Sequence, residues 1–214
     1  MRNRLLGICI ATLALSTTGL AQRFEVFGDY TYLRYNPTIT GLNTRSLNGG
    51  GGGAQLNFAK IFGLKGDFQG YMSTQTVVQV TSPIGTPNGV IPVGTYKSNA
   101  TMFTYLLGPV IRIPGKHIRP FGELLFGGTH TSLYGQLNSE LIANGGKTNI
   151  NASSQHPFSM ALGGGLDVVV NKHFALRVGE VDWMMTRFTN IWTNTNNQNN
   201  FRYLAGVVFT VGEQ

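Results

Sequence analysis

The sequence predicts an all-β protein, an eight-stranded antiparallel up-and-down transmembrane β-barrel that occupies residues 22–214. Polar and apolar residues alternate with a period of two over eight segments of about ten residues or more, and the connections between the segments alternate between long and short. Only 12% of the residues are charged, whereas soluble domains usually carry about 25%. No apolar run reaches the ~20 residues of a membrane-spanning helix.

Residues 1–21 are interpreted as an export signal that is cleaved. Arg2 and Arg4 precede the apolar segment from Leu5 to Leu15, and small residues that include Ala21 follow as at a signal-peptidase site. A buried N-terminal helix is the alternative, but the segment is short for one. Cys9, the only cysteine of the chain, lies within this signal, so the mature protein is expected to have no disulfide or thiol chemistry.

The alternation is clearest in the first and last predicted strands. In FRYLAGVVFTV, residues 201–211, the residues from Phe201 to Val211 that share a face are aromatic or apolar, whereas Arg202 lies on the other face. The strand that begins at Phe24 likewise separates an aromatic face from one that carries Glu25 and Asp29. The six other candidate strands are 51–60, 64–73, 100–113, 119–131, 158–170 and 173–188.

The connections indicate how the barrel is oriented. Long links fall at 36–50, 74–99, 132–157 and 189–200, and short ones at 61–63, 114–118 and 171–172. Long external loops and short periplasmic turns are typical of outer-membrane barrels, and an even number of strands places both ends of the barrel domain on the periplasmic side. GGGGG at 49–53, where the link 36–50 meets the strand 51–60, is interpreted as a flexible entry into that strand, and the Pro- and Gly-rich segment 82–94 as turns.

A single acid interrupts the apolar stretch PFGELLFGGTHTS, residues 120–132. If the face with Leu124 and Phe126 contacts lipid, Glu123 points into the barrel, where an unpaired charge would be costly. The same parity places Lys65 inside. The predicted interior polar network consists of Glu25, Asp29, Asp67, Glu123, Asp167, Arg177, Glu180, Asp182 and Arg202. Because eight strands leave just enough room for side chains, we expect a paired plug and not a water-filled pore.

Arg177 does not fit the simple alternation. It shares a face with Val181 and Trp183, opposite Glu180 and Asp182. Either Arg177 extends toward the headgroups at the turn end, or a β-bulge at Gly179 shifts the register and turns it inward. We favour the bulge.

Aromatic residues are predicted to form two girdles at the membrane interfaces. The girdle at the long-loop end would contain Tyr30, Tyr32, Tyr35, Tyr71, Tyr105, Trp183, Phe201 and Tyr203. The girdle at the turn end would contain Phe24, Phe58, Phe62, Phe121, Phe174 and Phe209.

The chain resembles the small bacterial outer-membrane β-barrel domains grouped with the transmembrane part of outer-membrane protein A. The segments FEVFGDYTYLRYN, RPFGELLFGGTH, ALGGGLDVVVN and FRYLAGVVFTV carry this resemblance, which covers essentially the whole mature chain. It implies a Gram-negative-type outer membrane, contact with its lipid and lipopolysaccharide, and insertion by the barrel-assembly machinery. The last strand resembles the signal that this machinery reads, although the chain ends in Val-Gly-Glu-Gln and not in an aromatic residue.

The expected role is non-enzymatic: structural, or interaction with an unknown surface ligand through the long loops. No cofactor is expected, and no metal, because His117, His156 and His173 are scattered without ligand spacing. The net charge of +7 includes no clustered basic stripe, so nucleic acid is not an expected partner.

Two alternatives remain open at this point. His130 and Ser132, with Glu140 in the next loop, resemble the His-x-Ser and glutamate of the outer-membrane lipid A deacylase, which implies a hydrolase with a Ser132 nucleophile and a His130 base. Leu133 stands where that family has asparagine. The second alternative is a secreted lipocalin-like barrel whose apolar side chains line a ligand cavity.

Overall fold

The computed structural model describes residues 23–37, 43–73, 77–86, 89–97, 101–132, 142, 156–188 and 197–212. The predicted signal, residues 1–21, lies outside these described residues, and so does Glu140. Within the described ranges, no helix is long and apolar enough to cross a bilayer.

The described residues form twelve strands. They are β1 (Arg23–Tyr35), β2 (Arg45–Asn57), β3 (Phe62–Ser73), β4 (Val77–Val80), β5 (Ile84–Thr86), β6 (Gly89–Ile91), β7 (Gly94–Lys97), β8 (Thr101–Arg112), β9 (Ile118–Thr131), β10 (Phe158–Val169), β11 (Phe174–Arg187) and β12 (Asn197–Val211). Eight of them close an antiparallel barrel in the order β1-β12-β11-β10-β9-β8-β3-β2. The predicted fold class is therefore confirmed.

The barrel closes where the first strand meets the last. β1 pairs with β12 from Phe24 opposite Val211 to Arg34 opposite Phe201. Closure gives the backbone N–H and C=O groups of every long strand a partner on both sides, which a bilayer demands because it offers no water to satisfy them.

Charged and polar side chains lie mainly in the barrel interior and apolar side chains mainly on its outer surface, the reverse of a soluble protein. On β9, Glu123 is 4% exposed and Leu125 is fully buried, whereas Phe126 is 41% exposed. Aromatic and aliphatic side chains predominate on the outward face of each barrel strand except β2, whose outward residues are mostly Gly, Ser and Asn, so the exterior suits hydrocarbon and the interior holds the charges. This sidedness excludes the lipocalin-like alternative, which requires an apolar interior.

The glycine run lies deeper in a strand than the sequence predicted. The strand was expected to begin at residue 51, but β2 begins at Arg45, so residues 49–53 lie in its middle and pair with both β1 and β3. A Cβ on Gly51 would meet the backbone oxygen of Phe68 and the side chain of Gln69, and one on Gly53 would lie 2.7 Å from the ring of Phe27. At Gly51 and Gly53, large side chains of the interior therefore occupy the space that a Cβ would need.

Two of the long links also contain strand that the sequence did not predict. Between β3 and β8, the long link 74–99 includes two short two-stranded sheets, β4 with β7 and β5 with β6, and the second of these lies within the segment 82–94 that was interpreted as turns. β12 begins at Asn197, within the predicted loop 189–200, because Asn197 pairs with Arg187 at the end of β11. Residues 197–200 are all polar, so they gave no strand signal in the sequence. Cross-strand pairing with β11 nevertheless continues through them.

The aromatic girdles are present in part. At the loop end, Tyr30, Tyr105, Trp183 and Phe201 are exposed on the outer face, and at the turn end Phe24, Phe58, Phe62 and Phe209 are exposed there. Tyr32, Phe174 and Tyr203 are half-buried. The assignment of Tyr35, Tyr71 and Phe121 was wrong, because strand parity turns these side chains into the interior, where they are at most 7% exposed.

β11 contains a register shift beside Gly179. Arg177 lies opposite Gly206 of β12, but Glu180 lies opposite Leu204, so two residues of β11 face one residue of β12. Arg177 consequently points inward together with Glu180 and Asp182. The predicted bulge is confirmed.

Candidate functional site in the barrel interior

The nine predicted interior residues all lie inside the barrel. Each is 9% exposed or less. They come from six strands: Glu25 and Asp29 from β1, Asp67 from β3, Glu123 from β9, Asp167 from β10, Arg177, Glu180 and Asp182 from β11, and Arg202 from β12. Their side chains, with several partners, form one continuous ionic network, which we call the interior network.

Lys65 of β3 stands at the centre of the interior network. Its Nζ lies 2.8 Å from Glu123 Oε2 and 2.9 Å from Glu180 Oε2, and all three side chains are fully buried. The rings of Phe27 and Phe121 flank this ammonium at 4.9 and 5.6 Å. A desolvated cation thus has two carboxylates and two aromatic faces to replace its lost hydration.

The network continues toward the loop end through Arg202. Arg202 Nε donates a hydrogen bond to Asp182 Oδ2 at 2.7 Å, and Nη1 donates to Asp67 Oδ1 at 2.9 Å. Gln69 extends the chain of contacts, because its Nε2 donates to Asp29 Oδ1 at 2.6 Å and to Asp67 Oδ2 at 3.3 Å.

The network continues toward the turn end through Arg177. Its Nε donates to Asp167 Oδ1 and its Nη1 to Glu180 Oε2, each at 2.9 Å. Arg112 then bridges Asp167, at 3.1 Å, and Glu25, at 2.5 Å. The bulge in β11 makes this chain possible, because without it Arg177 would point to the lipid while Glu180 pointed inward.

Sequence reasoning omitted several basic members of this site. Lys65 was placed on the inner face, but Arg23, Arg45, Arg112 and Arg119 were not assigned to the interior. With them, the buried charged side chains comprise seven carboxylates and seven cations, so the described interior is formally neutral. The four arginines lie at strand ends, where few alternating neighbours remain to show which face is the inner one. Arg112 is two residues after Val110 on the same strand, so assigning both to the inner face would have found one of the four.

A group of buried apolar side chains, which we call the apolar layer, lies on the loop side of the interior network. Leu33, Leu47, Met102, Met184 and Phe188 are each at most 3% exposed. Among the described residues, Glu123, Glu180 and Asp182 are the one group of carboxylates close enough to hold a metal ion. Lys65 and Arg202 already lie against these carboxylates, so the protein's own cations supply the positive charge there.

The two described residues of the hydrolase alternative contact different neighbours. The His130 ring contacts the His156 ring in a tilted arrangement, with ring centroids 4.7 Å apart, and its Nδ1 is buried without a hydrogen-bond partner. Ser132 Oγ accepts a hydrogen bond from the Thr101 backbone N–H at 3.1 Å and lies 2.9 Å from Thr101 Oγ1. Glu140, the third residue, lies outside the described ranges.

The closed barrel, its apolar exterior and its ionic interior define a transmembrane β-barrel of the bacterial outer membrane. The chain belongs to the family described as the outer membrane protein beta-barrel domain, whose model matches residues 5–212. No curated protein sequence matches it.

Solved structures of outer-membrane barrels share the fold at low sequence identity. The attachment invasion locus protein Ail of Yersinia pestis is 14% identical with a TM-score of 0.51, and the match covers 90% of this chain and 100% of Ail. Neisserial surface protein A is 9% identical with a TM-score of 0.56, over 87% and 96% of the two chains. OprG of Pseudomonas aeruginosa is 13% identical with a TM-score of 0.52, over 91% and 98%.

Proposed function

We propose that this protein is a non-enzymatic, non-conducting outer-membrane barrel that holds its long loops at the cell surface for structural support or interaction. The short turns, 58–61, 113–117 and 170–173, face the periplasm, as in outer-membrane barrels generally. The segment between β3 and β8, with its two short sheets, then projects outside the cell.

The filled interior supports the non-conducting role. The largest fully buried side chains of the described residues include Arg177, Arg202 and Lys65 in the interior network, Leu33 and Met102 in the apolar layer, and Tyr35, each less than 2% exposed. A solute would have to separate several buried ion pairs and then cross the apolar layer. Either step exposes charges or apolar groups to an environment that does not match them.

Planar-bilayer recording tests the absence of conduction. The refolded protein should produce no long-lived conductance steps, whereas the double variant Arg177→Ala/Arg202→Ala, which empties the middle of the barrel, should produce measurable current. Arg187→Ala is the matched control, because Arg187 is exposed at the loop end and its removal should leave the barrel closed. Large, stable channels formed by the unaltered protein would refute the proposal.

Cysteine labelling on intact cells tests the orientation. Cys9 is the chain's only natural cysteine, so single cysteines can be introduced at chosen positions after replacing it with serine. Val93→Cys, exposed in the long segment, should react with a membrane-impermeant maleimide on intact cells. Lys172→Cys, exposed in a turn, should react only after permeabilisation. The reverse pattern would show that the barrel is inverted.

A further inference from the structure

The turn end of the barrel contains a basic cleft, which lies next to the interior network. It has a volume of about 560 Å³ and lies between the β8–β9 turn and the β10–β11 turn. Its lining includes Lys116, His117, Arg119 and Lys172. We call it the turn-end cleft.

No carboxylate lines this cleft within the part of the chain that the structure describes. All seven described carboxylates are buried inside the barrel. Arg119 donates its Nε to the Gly115 backbone oxygen at 3.3 Å and belongs to the buried cations that balance those carboxylates. The excess of positive charge in the cleft therefore comes from Lys116 and Lys172, which are exposed.

The surroundings of the cleft are those of a lipid–water interface. Val170 lines it, and Ile113 and Ile118 are next in the chain to the lining residues Pro114 and Arg119; each of the three is more than half exposed on the outer face. A ligand seated there would meet cations and polar backbone at one end and apolar side chains, continuous with the lipid-facing surface, at the other.

We propose that the turn-end cleft binds an anionic glycerophospholipid of the phosphatidylglycerol type. Lys116, Lys172 and Arg119 would contact the phosphodiester headgroup, and Ile118 and Val170 would contact the start of the acyl chains. Placing this lipid in the periplasmic leaflet rests on the orientation proposed above, but binding itself does not.

Native mass spectrometry in detergent micelles tests the proposal. The refolded protein is titrated with phosphatidylglycerol and, in parallel, with phosphatidylcholine of the same acyl chains. The unaltered protein should bind phosphatidylglycerol preferentially. The variant Lys116→Gln/Lys172→Gln should lose that preference, since each lysine near an anionic headgroup contributes roughly fivefold in affinity. Lys116→Arg/Lys172→Arg should retain it.

Lys60→Gln is the matched control. Lys60 is exposed in the remaining turn of the same end but does not line the cleft, so its replacement should leave the preference unchanged. An equal loss in the Lys60 variant would reduce the effect to general surface charge and overturn the proposal. Equal binding of the two lipids by the unaltered protein would also overturn it.

A competition experiment separates the lipid from a free anion. A large excess of inorganic phosphate should not displace phosphatidylglycerol, because the acyl chains contribute to its binding. Displacement by phosphate alone would show a simple anion site and refute the lipid assignment. Heat-modifiable migration on gels verifies that each variant is folded. The micelle has no leaflets, so a failure here is distinct from an inverted orientation in the labelling experiment.

Discussion

Lys65 of β3 and Glu180 of β11 meet at the centre of the barrel, although 115 residues separate them in the chain. Lys65 Nζ donates to both carboxylate oxygens of Glu180, at 3.0 and 2.9 Å. The same ammonium reaches Glu123 on β9 at 2.8 Å. One cation thus ties three strands together across the interior.

Replacing this lysine should strongly destabilise the barrel. Lys65→Met leaves Glu123 and Glu180 buried without their shared cation, and breaking a buried pair in this way costs about 3–5 kcal/mol. Urea unfolding in lipid vesicles, followed by heat-modifiable migration, measures the change. Lys60→Met, in an exposed turn, should have almost no effect. Adding Glu123→Gln to Lys65→Met should recover part of the loss, and a purely additive loss would contradict the coupling.

Gly53 should not tolerate a side chain. In Gly53→Ala, the new methyl group would meet the backbone oxygen of Gly66 and the ring of Phe27, which flanks both Lys65 and Arg177. Overpacking of this kind costs about 1–3 kcal/mol. Gly66→Ala is the control on the outer face of the next strand, where the nearest atom is 3.8 Å away. Urea unfolding of the pair should separate them; equal stability would contradict a filled interior at Gly53.

The bulge in β11 should be dispensable as long as the interior residues keep their face. Deleting Gly179 removes the extra residue, so Arg177, Glu180 and Asp182 share the inner face by simple alternation and the register against β12 is unchanged on either side. This variant should refold in a vesicle-refolding assay. Deleting Val181 instead forces Glu180 or Asp182 toward the lipid and away from its buried cation, which costs about 3–5 kcal/mol, so we expect little folded protein. Efficient refolding of the Val181 deletion would refute this account.

Ser132 should be dispensable for lipid A structure. The Ser132 hydroxyl is within hydrogen-bond distance of Thr101 Oγ1, and the His130 ring contacts the His156 ring. These contacts support a structural role for both residues at the rim of the barrel. In cells that express Ser132→Ala or the unaltered protein, mass spectrometry of lipid A should show the same acyl chains. If the unaltered protein removes acyl chains and the variant does not, the hydrolase alternative is correct.

The alternation of residues determined the class of fold and the direction in which most charges point. Glu123 is one example: strand parity alone places it opposite Leu124 and Phe126, and the bilayer decides which face is outside. The same rule located Arg202 and Asp67, because each lies in the middle of a strand where many alternating neighbours support the assignment.

The sequence was least informative at strand ends and at glycine. Arg23 and Arg112 lie at the ends of β1 and β8, where too few neighbours remain to establish parity. The run 49–53 has no side chains to alternate, so the sequence placed the start of the strand at residue 51 and not at Arg45. Pairing with β1 and β3 makes the whole run a strand. The Gln69 and Phe27 side chains that fill the adjacent space explain why Gly51 and Gly53 are glycine.

By itself, the sequence determined a membrane barrel with polar side chains inside, because a period of two is a local property that each strand carries alone. Tertiary structure decided which charges pair: Lys65 with Glu123 and Glu180, and Arg202 with Asp67 and Asp182. Those partners come from strands far apart in the chain. They meet only when the barrel closes, since closure sets the register of each strand against the next and brings opposite walls within the reach of one side chain.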